Sequence, residues 1–151
     1  MYQMVYKQLI PTDMESCWRF FSAPNNLSAI TPKKMNFRVL TPENNTIYPG
    51  QIIAYKVSPL LGISLRWVTE ITYVEPGKYF VDEQRIGPYR LWHHEHHFEQ
   101  KEEGIYMTDK ISYQLPFGFL GRFVHLLLVK RQLELLFNYR KKAIEQYFSK
   151  Q

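Results

Sequence analysis

The sequence predicts an α+β chain: a curved, seven-stranded antiparallel sheet wrapped around one long C-terminal helix, with two short helices after the first strand. Three observations predict it. Residues 34–115 are rich in β-formers, alternate with period two and are punctuated by turn residues. Residues 120–148 instead repeat apolar side chains at helical spacing. The links between the strand-like runs are short, and short links join antiparallel neighbours. At 151 residues the chain is read as one domain, 1–151, and its 10 Phe, 11 Tyr and 3 Trp must bury or line something.

Residues 2–10 alternate and read as a strand that ends at Pro11. Thr12-Asp13-Met14-Glu15 has the form of a capping box, with Thr12 as N-cap and Glu15 three residues on. The helix it opens runs through Cys17, Trp18, Phe20 and Phe21 to Pro24, and a second short helix through Leu27 and Ile30 stops before Pro32. Strands follow near 35–41, 51–58, 63–74, 78–85, 90–100 and 105–115. They are separated by Pro42-Glu43-Asn44-Asn45, Pro59 to Gly62, Pro76-Gly77, Gly87-Pro88 and Glu102-Glu103-Gly104. The final helix, about 120–148, carries Leu126, Val129, Leu133, Leu136, Phe137, Ile144, Tyr147 and Phe148 and spans roughly 43 Å at 1.5 Å per residue. The first strand is expected to pair late in the sheet, the short helices to plug one end, and a cavity to remain between sheet and helix.

Composition limits the function classes. Cys17 is the only cysteine, so neither an internal disulfide nor a cysteine-based zinc site is available. No basic-then-apolar leader pattern opens the sequence and no apolar run approaches the roughly 20 residues of a membrane span, so a cytoplasmic location is expected. The net charge of +5 sits entirely beyond residue 119. Tyr139-Arg140-Lys141-Lys142 reads as the solvated end of the last helix, whose cations suit the negative end of the helix dipole. No nucleic-acid motif accompanies this charge, so no nucleic-acid partner is expected.

Alternation on the 90–100 strand puts Trp92, His94, His96 and Phe98 on one face and Leu91, His93, Glu95 and His97 on the other. The Trp/Phe bracket assigns the first set to the interior. The same reasoning turns Asp109, Ile111, Tyr113 and Leu115 inward on the next strand. Phe80, Asp82 and Gln84 face inward on 78–85, Ile63, Leu65, Trp67, Thr69 and Ile71 on 63–74, and Ile53, Tyr55 and Val57 on 51–58. An apolar wall with a few polar groups is the usual composition of a ligand pocket. The same polar groups also form a self-satisfied network if His94 and His96 bond Asp82, Asp109 and Tyr113. The run His93 to His97 invites a metal, but alternation splits its four histidines between faces, and spacing supplies no third ligand. No metal or other cofactor is expected.

Element order and motifs together resemble the START/polyketide-cyclase superfamily, the helix-grip fold shared with the major birch pollen allergen (Bet v 1-like), and within it the small bacterial ligand-binding SRPBCC proteins. The similarity is carried by Phe80-Val81-Asp82-Glu83-Gln84, Gly87-Pro88-Tyr89, Trp92-x-His94-x-His96-x-Phe98, Met107-Thr108-Asp109-Lys110-Ile111-Ser112-Tyr113 and Leu115-Pro116-x-Gly118. It covers nearly the whole chain and implies a fold rather than a substrate. The expected function is binding or transport of a small hydrophobic or aromatic, lipid- or polyketide-like ligand. Trp67, Trp92, Phe98, Ile111 and Leu136 form its apolar wall, and Tyr55, Thr69, Asp82, Gln84, His94, His96, Asp109 and Tyr113 its polar groups. One alternative is a cyclase- or dehydratase-type enzyme in which His96 and Asp109 move a proton. A second is a protein- or membrane-interaction module using the basic helix.

Overall fold

The computed structural model describes residues 1–41, 46–60, 62–116, 118–119 and 125–149. Chain order is β1 (Tyr2–Ile10), α1 (Met14–Phe21), two turns of 3-10 helix (Pro24–Ser28 and Lys33–Met35), β2 (Arg38–Val39), β3 (Ile52–Leu60), β4 (Ile63–Glu75), β5 (Tyr79–Ile86), β6 (Leu91–Lys101), β7 (Gly104–Gln114), a π-helical turn (His125–Val129) and α2 (Lys130–Phe148). The strands form one curved antiparallel sheet in the order β1-β7-β6-β5-β4-β3-β2. β1 closes against β7 from Tyr2↔Tyr113 to Ile10↔Ile105, so the first strand does pair late. Among the described residues no helix is long and apolar enough to cross a membrane.

Four local expectations need correction. The N-cap of α1 is Asp13 rather than Thr12. Asp13 is extended (φ −82°, ψ 164°) and accepts from the Ser16 amide at 2.8 Å and the Ser16 hydroxyl at 3.0 Å. Thr12 instead donates its amide to the Ile10 carbonyl in the preceding turn, so the cap falls one residue later. The second short helix is a 3-10 turn opened by Pro24, with Ile30 buried just beyond its end. The strand expected at 35–41 shrinks to Arg38–Val39, because Asn36 (φ 46°) ends the Lys33–Met35 turn in a left-handed conformation that no strand continues. The last α-helix begins at Lys130 after the π turn. Its 19 residues extend about 28 Å. The expected helix start at 120–124, the turn at 42–45 and the Leu126 side chain lie outside the described residues.

α2 presents one stripe to the sheet: Leu133, Phe137, Ile144 and Phe148 are buried on it. Two apolar clusters result. One joins α1 and the end of α2 to the sheet through Cys17, Phe20, Ile53, Phe80, Phe98, Ile105, Ile144 and Phe148. The other comprises Trp92, Ile111, Tyr113, Leu133 and Phe137, and Trp67 packs against both. The strands therefore alternate between clusters along their length. On β6, Trp92 belongs to one cluster and Phe98 to the other, which leaves His94 and His96 between them. The β4–β5 pairing shifts register at Val68/Thr69, where the extra residue is Arg85 on β5, and at Ile71/Tyr73, where it is Thr72 on β4; Val68 and Thr69 are both buried. Ile63, expected inward, is 58% exposed at the far end of the strand.

Candidate functional site

A polar band crosses four strands in the gap between the two clusters. Pairing puts Asp82 opposite His94, and His96 opposite Asp109, on one face of β5, β6 and β7. His96 Nε2 lies 2.7 Å from Asp82 Oδ2, and His94 Nε2 lies 2.9 Å from Asp109 Oδ1. The two remaining ring nitrogens close a ring of contacts. His96 Nδ1 is 3.0 Å from Asp109 Oδ1, without the alignment of a hydrogen bond, and His94 Nδ1 is 3.5 Å from Asp82 Oδ2. Thr69 on β4 reaches Asp82 Oδ1 at 3.4 Å and extends the band by one strand.

Burial sets the electrostatics of this quartet. Burial alone raises the Asp109 carboxyl, but the His94 hydrogen bond, the His96 ring beside it and the charge of both imidazoles hold it well below the usual carboxylate range. Asp82 is lowered in the same way, against its burial, by the His96 hydrogen bond and both imidazoles. Burial disfavours the charged form of His96, yet its contacts with Asp109 and Asp82 outweigh this and raise it to about 9. His94 moves down, because burial and the neighbouring His96 charge outweigh the two carboxylates. One imidazolium, one neutral imidazole and two carboxylates result. The Phe80 ring stacks on His96 with centroids 4.1 Å apart, a further contact that favours a cation.

The quartet lies in the wall of a cavity of about 210 Å³ between sheet and α2. Its apolar lining includes Ile53, Trp67, Trp92, Leu136, Phe137 and Ile144, and its polar lining Tyr55, Thr69, Asp82, His94, His96 and Asp109. Burial, then the Asp82 charge, pushes the Tyr55 hydroxyl far above its ordinary value, so it stays a neutral hydrogen-bonding group. Four residues expected in the pocket lie outside this lining. Gln84 spends its amide on the β5–β6 turn, donating to the Tyr89 carbonyl at 2.7 Å and accepting from the Tyr89 amide at 3.2 Å. Phe98 and Ile111 are packed within the two apolar clusters. The Tyr113 hydroxyl shares a hydrogen bond with His125 Nε2 at 2.8 Å, and Tyr2 stacks on that imidazole at 3.6 Å, so Tyr113 serves the helix junction rather than the quartet.

Arg140 overturns the reading of the basic helix end. It continues the inward stripe of α2, between Phe137 and Ile144, and it too lines the cavity. Its Nε is enclosed with no hydrogen-bond partner among the described residues, and its guanidinium carbon stands 5.3 Å from the Phe137 ring centroid. Burial works against its charge and is opposed by Asp109 and Asp82 across the cavity. The signal in the sequence was the spacing: residue 140 falls seven after Leu133 and four before Ile144.

The outer histidines are used differently. His93 Nδ1 is 2.9 Å from Glu83 Oε1 and His97 Nε2 is 2.6 Å from Glu95 Oε2, in a surface ladder that also holds Arg85 against Glu70 and Glu83. Cys17 is a core thiol, pushed up to about 12 by burial and the nearby Asp13, and is unsuited to nucleophilic work.

No protein-family model matches the sequence, and no curated protein sequence matches it either. Solved structures do. A Chromobacterium violaceum protein superposes with a TM-score of 0.75 at 11% identity, over 98% of both chains. A Mycobacterium smegmatis protein gives 0.72 at 13% identity, over 97% of this chain and 90% of its own. Ginseng major latex-like protein 151 from Panax ginseng gives 0.71 at 14% identity, over 97% of each. At these identities the likeness is one of fold, and the fold is the Bet v 1-like helix grip.

Proposed function

We propose that this chain binds a small, largely apolar or aromatic molecule between sheet and α2, with the molecule's polar head against His94, His96, Asp82, Asp109 and Arg140. Membership of the START/polyketide-cyclase superfamily and a cytoplasmic carrier role belong to the same reading, which the fold and the strand motifs support. The observation that carries it is the composition of the cavity wall. Two tryptophans, Phe137 and aliphatic side chains surround a space that ends in a compact polar group, and Arg140 Nε has no partner there among the described residues. A buried donor left unpaired costs about 1–3 kcal/mol, and a bound acceptor recovers it.

The test is native mass spectrometry of protein purified without a histidine tag, followed by denaturing extraction and small-molecule analysis. The expected result is a stoichiometric organic adduct that is lost in a cavity-blocking Thr69→Phe variant. A clean mass for the protein, with no shift of Trp67 or Trp92 fluorescence across a panel of apolar acids and phenols, sinks the proposal.

A further inference from the structure

The geometry points to a mononuclear site for a divalent first-row ion of the zinc or iron(II) type, ligated by Asp82 Oδ2, His94 Nδ1 and His96 Nε2. This goes beyond ligand binding and does not depend on it. The three atoms belong to two adjacent strands and lie within 4.8 Å of one another. Asp82 Oδ2 is 3.5 Å from His94 Nδ1 and 2.7 Å from His96 Nε2. Two ligands each 2.0–2.2 Å from one tetrahedral ion stand about 3.4 Å apart, so the first distance already fits and the second opens by about 0.7 Å. The ion takes the place of the proton that His96 now donates to Asp82.

Asp109 supplies the feature that separates a metal site from a chance cluster. Its Oδ1 lies 2.9 Å from His94 Nε2 and 3.0 Å from His96 Nδ1, behind both rings. One carboxylate oxygen thus accepts from His94 Nε2 and lies beside His96 Nδ1, and the opposite nitrogen of each ring faces Asp82. Metal-ligating histidines are oriented by such an outer carboxylate. Two imidazoles and one carboxylate leave the remaining coordination positions open, as in catalytic zinc and non-haem iron sites, and here they open on the cavity. The surface histidines do not build an equivalent: His93 and His97 are each engaged with glutamates on the outer face.

The test is titration of metal-stripped, untagged protein with Co²⁺, read by visible absorption and calorimetry. One Co²⁺ per chain is expected, with at least tenfold weaker binding in Asp82→Asn and His94→Asn. Asp109→Asn is expected to bind 10–100-fold more weakly, and a His93→Asn/His97→Asn double variant to bind unchanged. The unaltered Co²⁺ protein is expected to show two hyperfine-shifted imidazole N–H signals in proton NMR, a readout that needs no variant to fold. Absence of both stoichiometric binding and those signals overturns the site. Binding that survives Asp82→Asn but vanishes in the double variant overturns it equally, as surface capture.

Discussion

Asp109→Asn keeps the shape of the side chain and removes one charge from the quartet. In metal-stripped protein Asp109 Oδ1 faces His94 Nε2 at 2.9 Å and His96 Nδ1 at 3.0 Å. Hydrogen bonds to a charged group contribute about 1.5–3 kcal/mol, so the variant is expected to be destabilised by about 2 kcal/mol at pH 6.5. The pH dependence is more diagnostic. His96 is raised from 6.5 to about 9 because its contacts with Asp109 and Asp82 outweigh its burial. A histidine raised on folding contributes stability that is complete below its unfolded value and is lost as pH rises through the folded one. For His96 that window is pH 6.5 to about 9, and the contribution is on the order of 3 kcal/mol at about 1.4 kcal/mol per pH unit. Removing the Asp109 charge takes away the leading cause of the rise. The variant is therefore expected to lose most of the stability slope between pH 6.5 and 9. Urea denaturation at stepped pH measures the slope, and nitrogen-15 NMR of the imidazole follows His96 itself. A variant whose His96 still titrates near 9, or whose stability falls as steeply as the parent's, refutes the reasoning.

Three further outcomes follow from local geometry. Gly104→Ala places a Cβ 2.3 Å from the Ile10 carbonyl oxygen at φ +138°, so it is expected to destabilise by about 3 kcal/mol or more and to loosen β1 from β7, visible as faster amide exchange along β1. Asp13→Ala is expected to cost about 1 kcal/mol in thermal or urea unfolding, whereas Thr12→Ala stays within about 0.5 kcal/mol; equal losses contradict the cap assignment. Phe137→Ala removes a buried ring that stacks on Tyr6 at 4.4 Å and meets the edge of His94, and is expected to cost about 3–5 kcal/mol in urea unfolding; a loss under 1 kcal/mol means that α2 does not lean on that ring.

How far the site could be read from the sequence differs from strand to strand. The β5–β6 and β6–β7 pairings run without a register shift, so alternation alone placed Asp82, His94, His96 and Asp109 on one face. Between β4 and β5 two register shifts break the pairing, and no spacing rule says that Val68 and Thr69 are both buried. Gln84 has the inward phase, but the chain turns back after Gly87-Pro88, and the nearest main chain takes its amide before the cavity does. The N-cap assigned to Thr12 fails for a reason of the same local kind: Asp13 caps as well, and the preceding turn decides between them. Arg140 was misread for a different reason. A run of cations suggests solvent, yet the stripe through Leu133, Phe137 and Ile144 fixes the direction of residue 140 regardless of its charge.

On the proposed reading, that arginine also narrows the head group. The strand side of the cavity carries two carboxylates and one imidazolium, a net charge of −1, and Arg140 on α2 restores neutrality from the opposite wall. A purely anionic head group satisfies Arg140 but adds repulsion at Asp82 and Asp109, while an amine satisfies the carboxylates and leaves the guanidinium unpaired. A head with a donor beside an acceptor, such as a carboxylic acid, a primary amide or a hydroxyl next to a carbonyl, meets both walls at once. Buried polar groups left without partners are what discriminate ligands most strongly, so the preference should be steep. Among ligands sharing one aromatic body, the amide and the hydroxy-ketone are expected to bind at least tenfold more tightly than the amine or the bare hydrocarbon. In Arg140→Met that advantage over the amine disappears, because the acceptor loses its donor. Equal affinities across the set in the unaltered protein mean that the polar wall bonds only itself and the cavity selects by shape alone.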